Sequence, residues 1–329
     1  MPLKETSERV EKRIRKGNKK SAQPDTAKNS ERKSRKKTET SRRSKGDFET
    51  EAKNRRKRSR FEGKEAKRKG ITMGYVIAVA NQKGGVAKTT TVVNLADALG
   101  QMGYSVLLID LDPQGNATSG YGINRRELRH CIYDVLVDDL PAEAALVRTP
   151  YSGVHVLPAT INLAGAEVEL VSVVARESKL RQAISHLRER YDYVLIDCPP
   201  SLGLLTLNGL TAADSIIIPV QCEYYALEGL EQLMNTFGLV RKHLNPQLQI
   251  LGVLLTMFDS RTNLSAQVVD QVKEYFGDRV FGAVIPRNVR LSEAPSHGMP
   301  ISYYDKKSKG AEMYGELAKA VVAKTRLRG

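Results

Sequence analysis

Residues 81–90 read Asn-Gln-Lys-Gly-Gly-Val-Ala-Lys-Thr-Thr, and what flanks this run narrows the fold more than any other feature. An apolar run, 75–80, precedes it with the character of a buried parallel strand. Residues 91–102 follow with the apolar spacing of a helix, at Val92, Leu95, Ala96, Leu99 and Met102. A strand, a glycine-rich turn and a helix start form a ready phosphate site. The turn's N–H groups converge, and the helix N-terminus adds partial positive charge. Lys88 would supply a cation to the outer phosphates and Thr89 a hydroxyl to a Mg²⁺ ion. The generic spacing G-x-x-x-x-G-K-S/T requires glycine at positions 82 and 87, which hold Gln82 and Ala87. What fits is a variant in which a second lysine, Lys83, stands five residues before Lys88 and is followed by Gly84 and Gly85.

Charge divides the chain in two. Residues 1–70 contain 27 basic and 11 acidic residues, a net of +16, whereas residues 71–329 contain 25 and 26. The basic segment has almost no large apolar residue beyond Leu3, Val10, Ile14, Phe48 and Phe61. It cannot bury enough surface to offset its chain entropy, so residues 1–72 are expected to form a disordered basic leader. Such an arm suits phosphate backbones or anionic lipid. It lacks the apolar core of a secretory signal. Two alternatives stand beside a nucleic-acid arm: a solvated tail without a partner, or a true translation start at Met73, two residues before the first strand.

Residues 73–329 suffice for one large α/β domain. No apolar run reaches the length of a membrane span. Cys131, Cys198 and Cys222 show no C-x-x-C spacing and read as buried, reduced thiols. Near-continuous apolar runs predict strands at 75–80, 105–109, 154–157, 193–196, 215–220, 248–255 and 280–285. Helical spacing alternates with them at 88–102, 178–191, 204–213, 226–244, 264–276 and 311–324. This order predicts a doubly wound, mostly parallel sheet with helices on both faces. In such sheets ligands bind beyond the carboxyl ends of the strands. The polar residues bunch there, at 81–89, 110–114, 197–201, 219–223 and 286–290.

Two of these clusters carry acids. The second strand closes on Asp110-Leu-Asp112, two carboxylates with the alternation that aims both toward the crevice. The strand 193–196 closes on Asp197, the form of a Walker-B acid. An acid at a strand end is common on its own, so its weight comes from being the third matching piece.

With these residues in place, 74–323 resembles the ParA/Soj family of chromosome- and plasmid-partitioning ATPases, within the deviant-Walker phosphate-loop ATPases. The segments that carry the resemblance are 81–91, 110–120, Ile-Asp-Cys-Pro-Pro-Ser-Leu-Gly at 196–203 and Ile-Pro-Arg-Asn-Val-Arg-Leu-Ser-Glu-Ala-Pro-Ser-His-Gly at 285–298. The resemblance implies ATP and Mg²⁺ as cofactors, bound by Lys83, Gly84, Gly85, Val86, Ala87, Lys88, Thr89 and Thr90. It implies Lys88 as the phosphate lysine, Thr89 as the metal ligand, and Asp110 and Asp197 as acids around the metal. Asp112 would position the attacking water. Lys83 would cross to a partner subunit's nucleotide, with Gly84 where subunits approach closely. Met257, Pro286, Arg287 and Asn288 would frame adenine, and Arg261 and Arg290 would bind DNA. The implied partners are a second copy in ATP, non-specific DNA and a ParB-type centromere-binding protein that stimulates slow hydrolysis. The implied location is the cytoplasm, on the nucleoid, without a membrane anchor.

One departure stands out. The family has glycine before the phosphate lysine, where this chain has Ala87. Alanine is unfavourable there if φ is positive and harmless if the backbone is near helical. Two other readings compete. A membrane-docked, division-site-selecting relative would need an amphipathic terminal helix, for which 318–329 offers few large apolar residues. A non-catalytic DNA-binding protein on a vestigial ATPase fold would not need the three acids and two lysines that are present.

Overall fold

The computed structural model describes residues 73–151, 153–223 and 228–326. The expected disordered leader, 1–72, lies outside the described residues. Seven strands form one sheet: β1 (Tyr75–Val79), β2 (Val106–Asp110), β3 (Val147–Arg148), β4 (Val154–Leu157), β5 (Tyr193–Asp197), β6 (Ser215–Gln221) and β7 (Gln249–Thr256). Their spatial order is β3-β4-β2-β5-β1-β6-β7, parallel throughout except for the β3–β4 pair. β1 therefore runs through the interior between β5 and β6, and its carboxyl end opens at mid-sheet.

The helices cover both faces. They are α1 (Lys88–Gln101), α2 (Asn116–Gly120), α3 (Ile132–Val137), α4 (Leu163–Glu169), α5 (Lys179–Ala183), α6 (Leu204–Ala212), α7 (Glu228–His243), α8 (Asn263–Phe276), α9 (Val289–Glu293), α10 (Ile301–Tyr304) and α11 (Lys309–Arg326). Strand side chains alternate between two apolar clusters, as a pleat requires. Val76 and Ala78 join one with Leu230, Leu233, Phe237 and Val240 of α7; Ile77 and Val79 join the other with Leu95 and Leu99 of α1 and Leu317 and Val321 of α11. The terminal helix is thus an ordinary packed one. Among the described residues no helix is long and apolar enough to cross a membrane.

Two sequence expectations require correction, and one strand was not foreseen. The run 280–285 is not a strand. It touches β7 only at bridges, with the Phe281 N–H donating to Val253 and the Ile285 N–H to Leu255, while the Phe281 ring lies over Gly252. The expected helix at 178–191 breaks after α5. There the Ser185 hydroxyl donates to the Gln182 carbonyl, competing with the helical ladder, and only a short 3₁₀ turn, Leu187–Glu189, follows. The antiparallel strand β3 has two residues, too few to show a period.

Candidate active site

The loop after β1 is fastened on both sides. Asn81, buried, donates its amide to the Pro219 carbonyl at 2.7 Å and accepts the Lys83 N–H at 3.0 Å. From the far side the Thr256 hydroxyl donates to the Val86 carbonyl at 3.1 Å, joining the loop to the end of β7. A Cβ built on Gly84 or Gly85 would meet nothing within 4 Å, so the cradle opens outward.

Ala87 resolves the question left by the sequence. Its φ of 68° and ψ of 33° are left-handed, and it is the N-cap of α1. A non-glycine residue there carries roughly 1–2 kcal/mol of strain. Glycine would relieve it while adding freedom to the unfolded chain, which offsets about 0.4–1 kcal/mol. Ala87→Gly is therefore expected to raise stability by roughly 0.5–1 kcal/mol. Urea unfolding of the two proteins checks this; a less stable Ala87→Gly variant would mean that the methyl group's packing outweighs the strain.

Lys88 is buried, and its Nζ donates to the Lys83 carbonyl at 2.9 Å. Burial lowers its pKa, opposed by the nearby Asp197, Cys198 and Asp112. Parallel pairing sets Asp197 beside both Val79 and Asp110. Both acids are fully buried, but they are satisfied very differently. Asp110 Oδ2 accepts from the Thr118 N–H and hydroxyl, each at 2.7 Å, and Oδ1 accepts from the Asp112 N–H at 3.3 Å. Burial still pushes Asp110 up to about 6.

Asp197 has two buried oxygens, neither in hydrogen-bond geometry with a donor. Burial first, then the Asp110 charge, pushes its carboxyl well above the usual range, while the nearby Thr89 hydroxyl favours the charged form. A buried carboxylate without donors beside a phosphate loop calls for a counter-charge. Among the described residues no three His, Cys, Asp or Glu side chains are arranged to hold a metal ion. A cation there would rest on Thr89, Asp197 and oxygens brought by a ligand, which is how Mg²⁺ binds at phosphate sites. The donor set fits it. Asp110, with its oxygens taken by Thr118 and Asp112, fixes the acid loop and raises Asp197.

Asp112 is mostly buried, and its Oδ1 accepts the Gln114 N–H at 2.9 Å, an Asx-type turn that fixes the carboxylate. Met257, Pro286, Arg287 and Asn288, far apart in sequence, come together. Phe258 pairs with Pro286, and the Arg287 N–H donates to the Phe258 carbonyl at 3.0 Å. Met257 has a φ of 52°. Arg287 pairs with Glu223 at 2.9 Å, and Asn288 caps α9 through the Arg290 N–H at 2.8 Å. Because Thr256 is tied to Val86, this wall adjoins the loop.

Arg261 and Arg290 lie on the exposed surface beside this wall. Arg261 grips Asp259 with two bonds, 2.9 and 2.7 Å, and holds that carboxyl well below the usual range. Arg290 pairs with Glu293 at 2.9 Å and lies 3.8 Å from Asp305. Both positive charges are thus partly compensated. Sequence reasoning missed the parts of Thr118 and Thr256. Each is a buried threonine whose hydroxyl also reaches a distant segment, Thr118 accepting the Ala159 N–H at 3.0 Å and Thr256 donating to the Val86 carbonyl, and nothing local announces those partners.

A parallel sheet with a Gly-Gly-Val-Ala-Lys-Thr loop at mid-sheet and a strand-end acid beside it defines a phosphate-loop nucleotide hydrolase. A family model described as "AAA domain" matches residues 74–250. The sporulation initiation inhibitor protein Soj of Bacillus subtilis is 61% identical over 251 residues, covering 76% of this chain and 99% of that protein. The chromosome partitioning protein ParA of Myxococcus xanthus is 55% identical, over 76% and 89% of the two chains. Among solved structures, a Mycobacterium smegmatis protein described as cobyrinic acid a,c-diamide synthase, with bound ADP and magnesium, is 44% identical. It superposes with a TM-score of 0.69, over 78% of this chain and 97% of that one. The chain belongs to the ParA/Soj family of chromosome-partitioning ATPases.

Proposed function

We propose that this ATPase works as an ATP-driven switch in DNA partitioning: an ATP-bound homodimer holds DNA without regard to sequence, and slow hydrolysis, stimulated by a ParB-type protein, releases it. Its cofactors are ATP and Mg²⁺. The ion, when bound, neutralises charge on the phosphates. Lys88 holds the outer phosphates, Thr89 and Asp197 hold the metal, and Asp112 orients the attacking water. Met257 and residues 286–288 frame the base. The protein works in the cytoplasm, on the nucleoid. The basic leader, where it is translated, adds a DNA contact independent of ATP.

The observation that carries the reading is the division of labour between the two lysines. Lys88 is buried inside the loop. Lys83 gives the loop only its main chain, its N–H to Asn81 and its carbonyl to Lys88. Its ammonium makes no ion pair among the described residues and is left for a nucleotide held by another copy. The open side of Gly84 leaves room for that approach, and a C₂ dimer would place the contact twice.

Sedimentation of the Asp112→Ala chain tests this. ATP should convert monomer to dimer, ADP should not, and Lys83→Ala added to it should remain monomeric. DNA affinity should rise in ATP over ADP, fall steeply with salt, and lose that ATP-dependent gain in Arg261→Glu with Arg290→Glu. A chain that stays monomeric in saturating ATP would sink the switch.

A further inference from the structure

The phosphate loop is held in shape through its carbonyls. The Lys83 carbonyl accepts the Lys88 ammonium at 2.9 Å, and the Val86 carbonyl accepts the Thr256 hydroxyl at 3.1 Å. Thr256 is fully buried at the last position of β7. It stands opposite Gln221 of β6, and its own carbonyl accepts the Cys222 N–H at 3.0 Å. The hydroxyl therefore comes from a fixed place in the sheet, 170 residues beyond the loop in sequence.

In a planar trans peptide the C=O and the N–H point opposite ways. Drawing the Val86 carbonyl back toward β7 thus turns the Ala87 N–H away from β7. Among the described residues no backbone carbonyl accepts this N–H, whereas the Ala87 carbonyl is already used by the Thr91 N–H at 2.9 Å. Together with the first N–H groups of α1, which a helix leaves unpaired, it is a donor for an anion.

This orientation is not the one that alanine prefers. With the peptide so placed, Ala87 sits at φ 68°, a left-handed value that costs a residue with a Cβ. Turning the Val86–Ala87 peptide over would shift φ of Ala87 by about half a turn, back to the negative values that L-residues favour. It would also present a carbonyl to the phosphates in place of an N–H. The strain at Ala87 pulls toward this second orientation, and the Thr256 hydroxyl opposes it.

We infer that Thr256 is a positioning residue for nucleotide binding: its hydroxyl holds the Val86–Ala87 peptide in the orientation that donates to the phosphates, against the strain of Ala87. This rests on the reading above in which the loop holds the phosphates. Thr256 acts through the peptide and touches no phosphate itself. Met257 follows it directly, so a displaced base wall is the competing explanation for any effect of changing it, and the experiment separates the two.

The test uses the full chain, with Mg²⁺-ADP and inorganic tripolyphosphate as probes, each competed against a fluorescent adenine nucleotide. Thr256→Val keeps the shape and lacks the hydroxyl; Thr256→Ala removes the hydroxyl with a smaller side chain. Both should weaken ADP and tripolyphosphate alike, by roughly three- to tenfold, the worth of one neutral hydrogen bond. Thr256→Ser keeps the donor and should bind both probes as the parent does. Ala87→Gly presents the same N–H without strain, so adding it to Thr256→Val should recover most of the loss. Unchanged tripolyphosphate binding in Thr256→Val and Thr256→Ala would overturn the proposal; if ADP alone weakened, Thr256 would belong to the base wall. An equal loss with and without Ala87→Gly would overturn it too, by assigning the effect to a general loosening of β7. A Lys88→Ala chain that bound ADP as the parent does would instead remove the loop reading on which the proposal stands.

Discussion

Lys88→Ala is expected to weaken nucleotide binding by roughly 10²–10⁴-fold, the loss of about two charge-assisted hydrogen bonds of about 1.5–3 kcal/mol each. The structure explains why nothing would replace it. Lys88 is the buried cation of the loop, with Asp197 and Asp112 close enough to oppose the effect of burial on its charge. Without it, a phosphate chain would enter a site of three carboxylates whose counter-charge came from the metal alone. The Lys83 carbonyl, which accepts the Lys88 ammonium at 2.9 Å, would also turn toward incoming anions without a donor. Calorimetric titration with ATP and Mg²⁺ measures the loss. A dissociation constant within threefold of the parent's would mean that the loop's N–H groups and Thr89 suffice, and that Lys88 has another part.

Asp112→Ala should do the opposite: nucleotide binding within a few-fold of the parent and turnover lower by roughly 10²–10⁴, the usual contribution of a positioned acid or base. Asp112 sits beyond the end of β2, where its Oδ1 fixes the turn through the Gln114 N–H at 2.9 Å. Removing the side chain therefore loosens the turn by about 1 kcal/mol as well as deleting the carboxylate. Asp112→Asn separates these effects, since the amide oxygen can still accept from Gln114 while the charge is gone. If the carboxylate acts on the water, both variants are equally slow. If it only shapes the loop, Asp112→Asn retains the parent rate. Phosphate release under single-turnover conditions distinguishes them, because product release then drops out of the measurement.

The fold and the site were not equally open to sequence reading. The phosphate loop could be read because it is contiguous: strand, turn, Lys88-Thr89 and the apolar repeat of α1 all fall within residues 75–101, and each leaves a local period or residue type. The same holds for Asp112 and Asp197, which close apolar runs, and for the parallel sheet, announced by strands apolar on both faces. What escaped depended on partners distant in sequence. Residues 280–285 have the composition of a strand, but the Phe281 ring lies over Gly252 and the segment makes only two backbone hydrogen bonds with β7. The helix at 178–191 has the right period, but a serine hydroxyl at its centre competes for the ladder.

Within the site, sequence named the acids but not their condition. Asp110 and Asp197 are alike as strand-end aspartates. Pairing in register sets them side by side, Thr118 reaches only Asp110, and the donorless one becomes the natural seat for a cation. Sequence likewise showed that Ala87 replaces a glycine, while only the backbone, at φ 68°, turned that replacement into strain. It named Arg261 and Arg290 as surface cations, while the fold set Asp259 and Glu293 against them. A chain's own alphabet fixes which chemistry is available and where local periods run. Which buried group keeps its hydrogen bonds and which charge is compensated are decided by segments that meet only after folding, because hydrogen bonds and desolvation act over a few ångströms whatever the separation in sequence.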